Sequence, residues 1–180
     1  ERGLIAVGDD LLVTSNIAAI GDITPGPALA HRASAQAHVA AEVLSGHAVT
    51  YNPLAVPAVV FSNPEIATTG LTVDEATAQG MQVSAAMFPI AASGRARTMD
   101  ESAGTVQIVH TDDGTIVGAQ MVGPAVSEFI GEMTLAIEMG ANLQDLADTI
   151  HPHPTVSETL VEAARVGMGM PIHVAPNRKR

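Results

Sequence analysis

The chain has 180 residues, 47% hydrophobic and 15% charged, the composition of a folding globular domain and not of a disordered acidic tail. Nineteen acidic residues face seven arginines and a single lysine, Lys179; the net charge of −11 and the lack of a basic patch exclude nucleic-acid binding. Zero cysteines exclude disulfides, thiolate metal sites and a cysteine nucleophile within this chain, and no metal is expected.

No apolar run reaches the roughly 18 residues of a membrane span, so none is expected. The start, ERGLIAVGDD, has neither the basic nor the apolar part of a signal peptide, and a cytoplasmic location is the expectation. With only Phe61, Phe88, Phe129 and Tyr51 as aromatics, the core must be built from Val, Ile, Leu, Ala and Met.

In chain order, Asn16 to Ile20 reads as a short buried strand with Gly21-Asp22 at its carboxyl end. A loop through Pro25-Gly26-Pro27 leads into an Ala-rich helix that stops near Gly46. Tyr51 to Pro57 reads as a linker, which places one segment at residues 1–52 and a second at 53–180. In the second, Ala58 to Phe61 predicts a strand, Thr72-Val73-Asp74-Glu75 a capped helix start, and Met81 to Phe88 another strand. Thr105 to His110 and Thr115 to Met121 predict a hairpin around Thr111-Asp112-Asp113-Gly114. Helices are predicted over Ser127 to Met139, Leu143 to Ile150 and Thr155 to Val166. Strands first and helices after give an α+β class, an antiparallel sheet with helices on one face. The first segment, with one strand and one helix, reads as the end of a larger α/β domain; no G-x-G-x-x-G occurs.

The motif with chemistry is His151-Pro152-His153-Pro154-Thr155-Val156-Ser157-Glu158. Thr155 and Glu158 form a capping-box pattern, in which His153 is merely a loop residue. The other reading is a His five residues before a Glu across a stiff turn. A carboxylate on one ring nitrogen fixes the tautomer and leaves the other nitrogen for proton transfer. His38 and His47 read as solvent-exposed, His110 as a strand end, and His151 as packing or capping. Arg95 and Arg97 read as surface charges, Met168 and Met170 as gap-filling hydrophobes.

HPHPTVSE resembles the H-x-H-P-T-[LV]-S-E signature of dihydrolipoamide dehydrogenases, within the FAD-dependent pyridine nucleotide-disulfide oxidoreductases. Thr14 through Asp22 is similar to that family's second FAD motif, and Gly26-Pro27-Ala28-Leu29-Ala30-His31 to its G-P-x-L-A-H turn. Pro57 to Phe61 with Pro64, Glu65 and Gly70, then Val117-Gly118-Ala119 and Val122-Gly123-Pro124, are similar to its interface-domain segments. His151 and the lack of a carboxyl-terminal cysteine pair favour this group over glutathione- and mercuric-reductase-like relatives.

The resemblance implies an FAD-domain remnant over 1–52 and an interface, or dimerisation, domain over 53–180. It implies that His153 is the acid–base group toward dihydrolipoamide, with Glu158 orienting it and a cis His153-Pro154 bond. It also implies that Gly21, Asp22, Ala28, Leu29, Ala30 and His31 meet the flavin, with Asp22 on a ribityl hydroxyl and the helix start at its pyrimidine edge. The implied cofactors are FAD and NAD, and the implied state is a homodimer whose active sites are shared between subunits. The implied partner is the lipoyl domain of 2-oxoacid dehydrogenase complexes or the glycine cleavage system. The family's Gly-rich motif, redox-active cysteines and NAD domain are not in this chain, so it resembles the carboxyl end of the enzyme and is expected to be inactive alone. The alternatives are another disulfide reductase of the family and a stand-alone, non-catalytic dimerisation module.

Overall fold

The computed structural model describes residues 3–175; Lys179 lies outside them. The chain divides into two compact units between Pro53 and Leu54.

The first unit holds a two-stranded antiparallel ribbon, β1 (Leu12–Thr14) and β2 (Ile17–Ala18), followed by a 3-10 turn over Gly21–Ile23 and the helix α1 (Ala30–Leu44). The predicted buried strand over Asn16 to Ile20 is therefore corrected. Asn16 lies in the ribbon's turn and accepts from the Thr14 hydroxyl at 3.0 Å, only two residues extend, and Ile17 is exposed. Of that run only Ala19 is buried, with Leu11 beside it: Ala19 donates its amide to the Leu11 carbonyl at 3.0 Å.

The second unit is a five-stranded antiparallel sheet in the order β3-β4-β7-β6-β5. Its strands are β3 (Ala58–Val60), β4 (Glu65–Gly70), β5 (Val83–Pro89), β6 (Thr105–Thr111) and β7 (Ile116–Gly123). Its helices are α2 (Val73–Ala78), α3 (Gly94–Thr98), α4 (Val126–Glu138), α5 (Leu143–Asp148) and α6 (Glu158–Gly167). This is the α+β layer expected from the element order.

Register explains the core. Phe88 pairs with Val106, Val106 with Met121 and Met121 with Ala67, so one buried row crosses four strands. Ala86, Ile108, Ala119 and Thr69 form the next row on the same face, two residues along each strand. α4 lies over β4 and β7 with Phe129, Ile130, Met133 and Ile137 inward; α6 lies over β5 and β6 with Leu160, Ala163 and Ala164 inward. Strand β4, between β3 and the central β7, carries small inward residues, Ala67 and Thr69, and the Thr69 and Thr134 hydroxyls meet at 3.0 Å beneath α4. Close approaches demand glycine at position 118 and favour it at 167. A Cβ on Gly118 would overlap the Leu71 carbonyl, and one on Gly167 would sit 2.7 Å from Leu143 Cδ1 and 3.0 Å from Ala86 Cβ. The second contact brings the carboxyl end of α6 close to β5.

Candidate functional site

α5 ends at Asp148, and residues 149–157 cross to α6. His151 and His153 each precede a proline, which disfavours helical backbone and keeps the crossing extended. The His153-Pro154 peptide is cis. The Thr155 hydroxyl donates to the Pro152 carbonyl at 2.8 Å and closes the loop on itself.

The capping box is half formed. Glu158 Oε2 accepts from the Thr155 amide at 2.7 Å, but the Thr155 hydroxyl is committed to Pro152, and α6 begins at Glu158 instead of Thr155. Its first turn is tightened by Thr159 and Leu160 amides reaching the Val156 and Ser157 carbonyls at 3.0 Å. The other Glu158 oxygen, Oε1, stands 2.9 Å from His153 Nδ1. The imidazole is 80% exposed while the carboxylate is 31% exposed, so an exposed ring is held by a more buried acid. Partial burial pushes the Glu158 carboxyl up. The Thr155 amide, the bond from His153 and the charges of His153 and His151 outweigh it and hold the group below the usual glutamate value. With Nδ1–H given to the carboxylate, Nε2 is the nitrogen that exchanges protons.

The dyad borders a cavity of about 430 Å³ whose walls include Phe88, Arg97, Glu162 and His173. Sequence reasoning treated Arg97 as an ordinary surface charge. It is exposed, but its Nε donates to the Ala91 carbonyl at 2.8 Å, which fixes the guanidinium at the cavity wall. His151 packs, as one sequence reading had it: its side chain is only 6% exposed. Its Nδ1 is 3.0 Å from the Thr149 carbonyl and its Nε2 is 2.8 Å from Glu132 Oε1 on α4. Both partners are hydrogen-bond acceptors, so each contact holds one edge of the ring. Glu132, 19 residues from His151, was invisible to local motif reading.

In the first unit Gly21 is buried with φ +69°, and a Cβ there would meet Ala33 Cβ at 3.0 Å, so the turn needs glycine to press against α1. Asp22 follows it, exposed. Ala28, Ala30 and His31 are exposed and Leu29 is half-buried; Leu29, at the N-cap position, gives no side-chain oxygen to the first-turn amides of α1. Two buried polar residues that sequence reasoning missed hold this loop from α1. Gln36 Oε1 accepts the Gly21 amide at 2.8 Å, and Arg32 donates to the Pro27 carbonyl at 3.0 Å, to Thr24 Oγ1 at 3.1 Å and to the Pro25 carbonyl. Their i, i+4 spacing was the available signal.

Among the described residues, no group of three or more His, Asp and Glu is arranged to hold a metal, and no helix is long and apolar enough to cross a membrane. His38 and His47 are exposed; His110 is buried within β6.

Residues 56–164 match the pyridine nucleotide-disulphide oxidoreductase dimerisation domain. The chain belongs to that family. It is 50% identical over 177 residues to a dihydrolipoyl dehydrogenase of Geobacillus stearothermophilus, covering 97% of this chain and 37% of that protein. It is 51% identical over 159 residues to the dihydrolipoyl dehydrogenase of Halobacterium salinarum, covering 88% of this chain and 34% of that protein. Among solved structures, LpdA of Mycobacterium tuberculosis matches with a TM-score of 0.83 and 28% identity, over 90% of this chain and 36% of LpdA. The HOCl-induced flavoprotein disulfide reductase RclA of Escherichia coli matches at 0.81 and 27%, over 89% of this chain and 38% of RclA. The chain thus spans little more than a third of the length of these relatives.

Proposed function

We propose that this chain is the carboxyl-terminal part of a dihydrolipoyl dehydrogenase subunit, which oxidises dihydrolipoamide to lipoamide through a redox disulfide and FAD with NAD as acceptor. The observation that carries this reading is the His153–Glu158 pair at 2.9 Å on a cavity wall. Identity of about half to dihydrolipoyl dehydrogenases, against 27% to RclA, supports this member of the family.

His153 takes a proton from a substrate thiol at Nε2, because Nδ1 is occupied by Glu158. Glu158 fixes the tautomer and aim of the ring, and the Thr155 amide and the His151–Glu132 pair fix the loop on which the ring is mounted. The first unit's residues fit a flavin. An exposed carboxylate at Asp22 can accept from a ribityl hydroxyl, and the α1 start over Ala28, Leu29, Ala30 and His31 is not capped by a Leu29 side chain. When bound, FAD supplies the transfer of the electron pair to NAD. The residues of α1 behind the loop, Gln36 accepting the Gly21 amide and Arg32 donating to the Gly21 carbonyl, keep Gly21 in the conformation that presents Asp22.

The working state is a cytoplasmic homodimer. Leu135, Met139 and Ile150 are exposed around an apolar groove of about 450 Å³ on the dimerisation unit, which supports a second copy as its cover. The natural substrate is then carried by the lipoyl domain of a 2-oxoacid dehydrogenase complex or of the glycine cleavage system. The test is turnover of the flavoprotein subunit that contains this chain. NAD reduction with dihydrolipoamide is expected, and turnover with glutathione disulfide in place of any with dihydrolipoamide would overturn the assignment.

A further inference from the structure

The cavity beside His153 holds a second pair of the same kind. Glu162 lies one helical turn beyond Glu158 on α6, so the two side chains leave one face of the helix with their Cβ atoms roughly 6 Å apart. Glu162 Oε1 stands 2.9 Å from Nδ1 of His173, and both residues line the same cavity as His153 and Glu158. The geometry repeats that of the dyad: the carboxylate is 13% exposed and the imidazole 63% exposed. The other Glu162 oxygen is buried with no hydrogen-bond partner among the described residues, so His173 supplies that carboxylate's one described bond. With Nδ1 committed to Glu162, His173 also has Nε2 as its exchanging nitrogen.

We propose that His173, oriented by Glu162, is a second acid–base residue of the dithiol site; this rests on the reading of His153 above. Oxidation of a dithiol to a cyclic disulfide releases two electrons and two protons. The acceptor of the electrons is a disulfide of the flavoprotein subunit. The first thiol gives its proton to His153 Nε2, and its sulfur attacks the enzyme disulfide, expelling one enzyme thiolate. The second thiol gives its proton to His173 Nε2, and its sulfur attacks the first, closing the substrate disulfide and expelling the second enzyme thiolate. His153 cannot accept both protons in succession without first discharging one, because its Nδ1 already carries the proton held by Glu158. A second ring on the same wall removes that wait.

The bland alternative is that the pair only tethers residues 171–174 to α6. His173→Asn separates the two, because the asparagine amide can still donate to Glu162 while no base remains. In the flavoprotein subunit, His173→Asn is expected to lower kcat for dihydrolipoamide oxidation about tenfold, short of the ~10²–10⁴ of a principal acid–base group, with KM nearly unchanged. Added imidazole should restore the rate, and flavin reduction by NADH, which needs no dithiol proton, should match wild type. His173→Ala with added imidazole repeats the rescue without relying on the tether. Wild-type turnover of His173→Asn, or a deficit in both variants that imidazole does not touch, overturns the proposal. His153→Gln is measured beside them. If it turns over at the wild-type rate, the reading of His153 has failed; if it is inactive while His173→Asn is wild type, only the second residue has.

Discussion

Glu158→Gln isolates what the carboxylate contributes. The carboxylate makes two bonds, to the Thr155 amide at 2.7 Å and to His153 Nδ1 at 2.9 Å. A glutamine has one acceptor, and the Thr155 N–H, which can only donate, claims it. The glutamine NH₂ then faces Nδ1, which must become an acceptor, so the ring proton moves to Nε2. The nitrogen that should take a thiol proton is now occupied. Restoring the productive tautomer sets N–H against N–H and loses the hydrogen bond, at about 1.5–3 kcal/mol for a bond to a charged group. At about 1.4 kcal/mol per factor of ten, kcat should fall roughly 10- to 100-fold. KM should hardly move, because Glu158 acts through His153. Stability should fall little, because the Thr155 bond survives. The assay is dihydrolipoamide-dependent NAD reduction by the flavoprotein subunit, with nitrogen NMR of the His153 ring reporting its tautomer. Wild-type turnover together with a ring switched to Nε2–H would refute the reasoning.

Gly118→Ala should destabilise the second unit by about 2–4 kcal/mol, read as a lowered urea midpoint, because the added methyl meets the Leu71 backbone, which cannot rotate away; an unchanged midpoint contradicts it. Glu75 is held below the ordinary glutamate value first by the Thr72 amide, and Asp113 below the ordinary aspartate value first by the Thr111 hydroxyl; Glu158 is likewise low. A depressed carboxyl stabilises the fold above its unfolded pKa and loses that contribution as pH falls through the folded one. The urea midpoint should therefore drop between about pH 5 and pH 2, and a midpoint that rises over that window contradicts the assignment. The 180-residue chain mixed with FAD should form no stoichiometric yellow complex and show no lipoamide-dependent NADH oxidation; either result would overturn the view that the cofactor needs further protein.

The second unit was legible where local chemistry decides structure. Asp112-Asp113-Gly114 marked the β6–β7 turn, and Thr72 with Glu75 marked α2, where both bonds of the capping box form. Strand β4 escaped because its inward positions, Ala67 and Thr69, are small to admit α4, which erases the apolar alternation that announces a strand. α3 escaped because Ser93-Gly94-Arg95-Ala96-Arg97 is polar and short, buried chiefly through Ala96. The ribbon β1–β2 was misread because NIAAI looks like a buried strand, yet Asn16 goes to the turn and only Ile17 and Ala18 pair. At the site, His153 and Glu158 were readable because they lie only five positions apart, on either side of a proline-containing turn. Glu132 and His173 were not, because tertiary packing alone brings them to their partners.

The central claim is that His153, held by Glu158, serves a dithiol site completed by a second subunit. A mixed dimer tests it directly. One flavoprotein subunit carries His153→Ala and the other carries serine in place of its redox cysteines, each inactive as a homodimer. After verified subunit exchange, the hybrid is predicted to regain dihydrolipoamide oxidation, because intact cysteines of one subunit meet the intact His153 of the other. Activity that stays at background in the exchanged dimer would contradict it.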